Sequence, residues 1–187
     1  PMFLRVDTNQ LSLKEVIRIL NQNSIEVERY DILKNFLKVL SGRDKVLDHN
    51  LFNCGIISIQ DPASAAVAEL VTPENGDIIL DVCAAPGTKS LLMAQKLGNN
   101  GKIFASDKDP SRVEIGKLDI ERHKNKNIQW SVLDATKDTF PMTAKILADV
   151  PCTGTGVLGR RPDIKWKLKK KDFQFMSKIQ ISILNHM

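Results

Sequence analysis

From Ile78 onward the chain alternates apolar β-prone runs with helical stretches, and this alternation restricts the fold more than any other feature. The runs IILDV (78–82), KIFAS (102–106), IQWSVL (128–133) and KILAD (145–149) read as strands. Helices are expected from about Thr88 to Leu97 and in SRVEIGKLDIERH behind Asp109-Pro110. Strand and helix in strict succession imply parallel strands joined by right-handed crossovers, a doubly wound, Rossmann-like α/β sheet. Ligands of such sheets sit beyond the carboxyl ends of the strands.

Residues 1–60 follow a different pattern. FLRV (3–6), FLKVL (36–40) and IISIQ (56–60) are strand candidates, and Ser12-x-x-Glu15 is a capping box ahead of Leu13, Val16, Ile17 and Leu20 on one helix face. This predicts a small N-terminal α/β module over 1–60, followed by a ligand-binding domain over 61–187 whose first helix Asp61-Pro62 caps. Pro1 in the first position, and the closing IQISILNHM that stops inside an apolar-periodic pattern, are expected of a piece of a longer protein.

Composition excludes several classes. With 42% hydrophobic and 26% charged residues the chain has the make-up of a globular protein, and no apolar run approaches the ~20 residues of a membrane span. Cys54, Cys83 and Cys152 are scattered and odd in number, and no CxxC or His pair has metal-ligand spacing. A cytoplasmic protein without a metal or a membrane partner is expected. The net charge of +5 is concentrated: residues 160–171 hold seven cations against Asp163, a local +6, so the rest of the chain sums to −1. Beside Trp166, this segment could neutralise nucleic-acid phosphates or simply form the solvated face of a surface helix.

Each expected strand ends at an acid: Asp81, Asp107, Asp134 and Asp149. Singly, any of them could cap the next helix; together they favour a polar ligand. The loop Cys83 to Lys89 has one glycine and a proline, which suits neither a dinucleotide fingerprint nor a P-loop. A nucleoside without phosphates fits better, its ribose hydroxyls held by a carboxylate. S-adenosylmethionine meets that description.

The segments DVCAAPGTK (81–89), ASDKDPSRV (105–113), Asp134-Ala135 and DVPCTGTGVLGRRPDIKW (149–166), together with PMFLRVDT and SIQDPASA (58–65), carry a specific resemblance. The sequence resembles the Nop/Sun family of RNA cytosine-5 methyltransferases, nearest its bacterial 16S ribosomal RNA branch. The resemblance implies a class I methyltransferase sheet, of which the first four strands are present, with the fourth left at an open edge. It also implies that Cys83, Ala84, Ala85, Pro86, Gly87, Thr88 and Lys89 wrap the methionine end of S-adenosylmethionine. Asp107 would hold the ribose, Asp134 would face the adenine, and Asp149 would lie between cofactor and target base. Thr88 stands where the family commonly has a second glycine.

C5 of cytosine is a weak nucleophile, and a thiolate added at C6 makes it enamine-like; an acid near N3, such as Asp149, stabilises the adduct. Cys152, in the Pro-Cys loop, is placed for such chemistry, the alternative being a packed apolar side chain. Cys83 reads as packing within the cofactor loop and Cys54 as structural. The resemblance gives Cys152 the release of product and assigns the attack to a second cysteine beyond a further strand, so these 187 residues are expected to be inactive alone. Arg160, Arg161 and Lys165 would contact ribosomal RNA. Two other readings compete: a DNA cytosine-5 methyltransferase with Cys152 as nucleophile, and a non-catalytic RNA-binding assembly factor that keeps the cofactor pocket.

Overall fold

The computed structural model describes residues 1–159 and 161–187. Its N-terminal sheet is antiparallel, in the order β2 (Val27–Arg29), β3 (Phe36–Val39), β1 (Met2–Val6), β4 (Ile57–Ile59). Side chains alternate along a strand, so Leu4 and Val6 share one face with Leu37, Val39 and Ile57, and α1 (Leu13–Gln22) covers that face with Val16 and Leu20. α1 starts as expected at Ser12, whose hydroxyl accepts the Glu15 N–H at 3.2 Å. β2 and α2 (Asn50–Asn53) are additions to the sequence reading; three or four residues are too few to show a period.

The opposite face of this sheet is also covered. Phe3, Tyr30, Leu33 and Phe36 share a core with Ala65 and Ala68 of α3 (Pro62–Leu70) and with Leu92 and Met93 of α4 (Thr88–Ala94). Packing is therefore continuous across residue 60. Arg5, paired across the strands with Phe36 and Ser58, is caught in this layer at 2% exposure. Its Nε donates to Gln60 Oε1 at 2.7 Å and its Nη1 to Gln95 Oε1, and burial lowers its pKa to about 10. Beside it, Ser58 Oγ lies 2.8 Å from Nε2 of the buried His123.

The second sheet is parallel, in the order β7 (Ile128–Val132), β6 (Lys102–Asp107), β5 (Ile78–Val82), β8 (Lys145–Ala148). α3 opens where Asp61 accepts the Ala63 N–H at 2.9 Å. α4 stops at Ala94, three residues short of the expected Leu97, and Gln95 just beyond it meets Arg5. Helices cover both faces, as the doubly wound reading requires: Ile79, Ile103 and Ala105 pack with α3 and α4, while Leu80 and Val82 pack with Ile179 and Ile183 of α7 (Lys170–His186). Among the described residues β8 pairs with β5 alone, so its outer edge is open.

α5 (Pro110–Arg122) returns the chain from β6 to β7, and Gly116 lets it lie against the Trp130 ring. A Cβ at Gly116 would overlap Trp130 Cζ2 and stand 2.7 Å from Cε2. Gly116→Ala is expected to destabilise the fold by about 1–3 kcal/mol through overpacking, read as a lower urea midpoint. An unchanged midpoint would show that the ring has room to move.

Candidate active site

Parallel pairing brings the carboxyl ends of β5, β6, β7 and β8 to one end of the sheet, and the loops leaving them build a crevice. The loop after β5 folds back on itself: Ala84 N–H donates to Ser106 O and Gly87 N–H to Ala84 O, both at 2.8 Å. Cys83 has φ +59° and Gly87 φ +101°, and the Ala85-Pro86 bond is cis. Gly87 is required twice over, because its backbone is left-handed and a Cβ there would stand 2.8 Å from Trp130 Cζ2.

Asp81, at 1% exposure, points from β5 toward α4 and accepts the Ser90 hydroxyl at 2.6 Å on Oδ2. Its Oδ1 is buried without a hydrogen bond, and burial pushes its pKa up to about 7. Asp107 ends β6 at 4% exposure. Its Oδ1 accepts the Asp109 N–H at 3.1 Å, while Oδ2 makes no hydrogen bond and lies 3.2 Å from Arg112 Nη1. Arg112 Nη2 also donates to Ala85 O, tying the β6 acid to the loop after β5. Asp109 caps α5.

Asp134 is engaged in a local turn rather than in capping, since among the described residues no helix stands between β7 and β8. Its Oδ1 accepts both the Thr136 N–H at 3.0 Å and the Thr136 hydroxyl at 2.7 Å, which hold its pKa below the usual carboxylate range. Asp149, just past β8, is half exposed and pairs with Lys89 Nζ at 2.5 Å. Lys89 therefore joins the loop after β5 to the β8 end. Cys152 is exposed and its Sγ accepts the Gly154 N–H at 3.4 Å, while Gln180 of α7 donates to Pro151 O at 2.9 Å and braces the loop.

Two cavities follow the strand ends. One, of about 300 Å³, is lined by Asp81, Ala85, Lys89 and Asp149. A smaller one, about 50 Å³, lies among Asp107, Leu133, Asp134 and Ala135. Cys83, Arg112 and Pro151 line both, so the two form an elongated path. The structure thus gathers Cys83 to Lys89, Asp107, Asp134 and Asp149 around one crevice with Cys152 beside it. Arg161 and Lys165 are exposed outside it, and Arg160 lies outside the described residues. Arg112 is a crevice residue to which the sequence reading gave no role, and Ser90, buried behind Asp81, was likewise not singled out. Arg112 stood within ASDKDPSRV (105–113), but its contact with Ala85 could not be read because that residue is remote in sequence.

Among the described residues no group of His, Cys, Asp and Glu could hold a metal ion, and no helix is long and apolar enough to cross a membrane. A parallel α/β sheet with this crevice at its strand ends has the architecture of the class I methyltransferases. Compared with solved proteins, the chain is 32% identical to PH0851 with a TM-score of 0.92, covering 99% of this chain and 42% of that one. It is 25% identical to a methyltransferase homologue from Pyrococcus horikoshii with a TM-score of 0.82, covering 100% and 59%. The probable ribosomal RNA small subunit methyltransferase B of Bacillus subtilis is 34% identical over 185 residues, 97% of this chain and 41% of that protein. The family model of the 16S rRNA methyltransferase RsmB/F matches residues 68–187. The chain belongs to that family, and it spans about two fifths of the length of its Bacillus relative.

The two crevice-side cysteines differ in environment. Burial, then Asp107, pushes the Cys83 thiol up to about 11, whereas Cys152 is exposed. Iodoacetamide at neutral pH is expected to label Cys152 and spare Cys83, as read by peptide mass spectrometry; preferential labelling of Cys83 would contradict this. Asp81 has a folded pKa raised above its unfolded value. Its contribution to stability is full below pH 3.8 and is lost as pH rises through about 7. Asp81→Asn should remove that part of the pH dependence in urea titrations, leaving the variant less weakened at alkaline pH than the parent.

Proposed function

We propose that the chain binds S-adenosylmethionine and forms the cofactor-binding and release part of a cytoplasmic enzyme that methylates C5 of cytosine in small-subunit ribosomal RNA. The observation that supports this reading is the convergence of a small-residue loop, the buried Asp107 carboxylate and the Lys89–Asp149 pair on one crevice beside the exposed Cys152 thiol. The cofactor fits this donor set: Asp81 Oδ1 and Asp107 Oδ2 are buried acceptors without hydrogen bonds, and ligand hydroxyl or amine groups would satisfy them. When bound, S-adenosylmethionine supplies an electrophilic methyl group.

Asp107 accepts the ribose hydroxyls, which requires Arg112 to give up its place 3.2 Å from Oδ2. Arg112 is about half exposed and has water to move into. Cys83 to Lys89 enclose the methionine end, and Asp134 borders the adenine end through the carboxylate that also holds Thr136. Asp149, oriented by Lys89, faces the cytosine edge at N3 and stabilises the ring when a thiolate adds at C6. That addition forms a C–S bond and moves electron density to C5; once C5 is methylated, it gives up its proton to water and the C–S bond breaks, returning the attacking thiolate. Cys152 serves the breaking step, in keeping with the resemblance. Arg160, Arg161 and Lys165 hold RNA phosphates, and the target base must leave its stack to reach the crevice. Family membership favours RNA over DNA as the substrate.

Calorimetric titration should show S-adenosylmethionine binding that Asp107→Ala weakens by about 1.5–3 kcal/mol, the range for hydrogen bonds to charged groups. Absence of binding by the parent chain would remove the proposal. These 187 residues are expected to yield no 5-methylcytosine on RNA, since Cys83 has a raised pKa and Cys54 belongs to the N-terminal module. Product formed by the chain alone would make Cys152 the attacking thiol. Arg161→Glu should weaken RNA binding in a salt-dependent manner and spare cofactor binding.

A further inference from the structure

On the far side of the Pro-Cys loop from the cofactor cavity lies a second hollow of about 300 Å³. Ile164 of α6 (Ile164–Lys167), Leu168 and Met176 of α7 give it an apolar lining, and Cys152 and Thr153 form the wall toward the crevice. We infer that this hollow is the subsite for the nucleotide adjoining the target cytosine, whose base lies on Ile164, Leu168 and Met176 while its phosphate meets Arg161 and Lys167. The inference rests on the RNA reading above and extends it from phosphate contacts to a base-binding position.

Three features support this occupant. First, the cofactor cavity includes Pro151 and the hollow includes Cys152, so consecutive residues separate them. A strand that delivers one base to the crevice has its next nucleotide at the hollow. Second, the two acids of the hollow are already engaged: Asp163 holds Lys167 at 3.1 Å and Arg161 at 3.6 Å, and Asp172 accepts the Lys169 N–H at 2.8 Å. The surrounding segment remains strongly basic, with Lys165, Lys169, Lys170 and Lys171 close in sequence. A hollow with an apolar floor, set in a segment of net positive charge, suits a molecule that has an apolar planar body and a negative charge, as a nucleotide does. Third, the loop is braced from both sides. Gln180 donates to Pro151 O, and Ile164 Cδ1 lies 3.3 Å from where a Cβ on Gly154 would stand. A base seated in the hollow therefore bears on the loop that carries Cys152.

The test measures binding of the 187-residue chain to a short single-stranded RNA with one cytosine, by fluorescence anisotropy, beside two copies in which the 5′ or the 3′ neighbour of that cytosine is abasic. One abasic copy is expected to bind about tenfold more weakly, the order of a lost base contact. Met176→Trp, which fills the hollow, should bring the intact RNA to the affinity of that copy and leave the copy itself unchanged. Equal affinity for all three RNAs, with Arg161→Glu still weakening each, overturns the subsite and leaves the RNA reading standing. Binding that ignores both salt and Arg161→Glu, or no binding at all, overturns both. Because the abasic comparison uses the parent chain, it decides the matter even where the Trp variant fails to fold.

Discussion

The site depends on β5 being paired in parallel on both sides. Asp81 is opposite Ala105 on β6 and Leu147 on β8, so the three strands run in step and end together. Asp107, Asp149 and the loop from Cys83 to Lys89 meet only because these ends coincide. A shift of one residue in register would turn Asp81 away from Ser90 and exchange Leu80 and Val82 between the α7 face and the α4 face. The buried apolar rows Ile79–Ile103 and Leu80–Val82 make such a shift costly, so the hydrophobic sheet fixes the geometry of the polar crevice.

On that frame, charge is arranged by pairing rather than by burial alone. Lys89 and Asp149 connect the loop after β5 with the end of β8, and Arg112 connects the acid of β6 with Ala85. Each tie joins two elements of the crevice through a long side chain that is partly exposed, so a ligand can displace it without disturbing the core. Asp81 differs: nearly all of it is buried and Ser90 holds Oδ2, so it lines the crevice from beneath with Oδ1 unbonded.

The N-terminal sheet shows how a small module gains stability by using both of its faces. One is sealed by α1 and the other by α3 and α4, with Arg5 and its two amide partners between. A buried guanidinium with neutral partners is an expensive arrangement, since loss of a partner strands a charge, and it ties the position of β1 to Gln60 and Gln95. The early end of α4 leaves Gln95 free of the helix and available to Arg5.

Much of this was legible in the sequence because local signals suffice for it. Alternating runs marked the strands, Ser12 and Asp61 marked helix starts, and acids at strand ends marked a crevice once the strands were taken as parallel. The loop and Pro-Cys motifs marked residues that the structure brings to the crevice and to its rim. What the sequence alone could not decide is which polar groups are spent on other polar groups. Arg5 alternates with Leu4 and Val6, a pattern that serves equally for a solvent-facing cation, and only α3 and α4 lying on that face bury it. Asp107 closes β6 and Asp134 follows the end of β7, yet Asp134 is taken by Thr136 and Asp107 pairs with Arg112. Hydrogen bonding and burial depend on residues brought close from distant parts of the chain; periodicity and capping depend on near neighbours, and so the first needed the tertiary structure while the second were already written in the sequence.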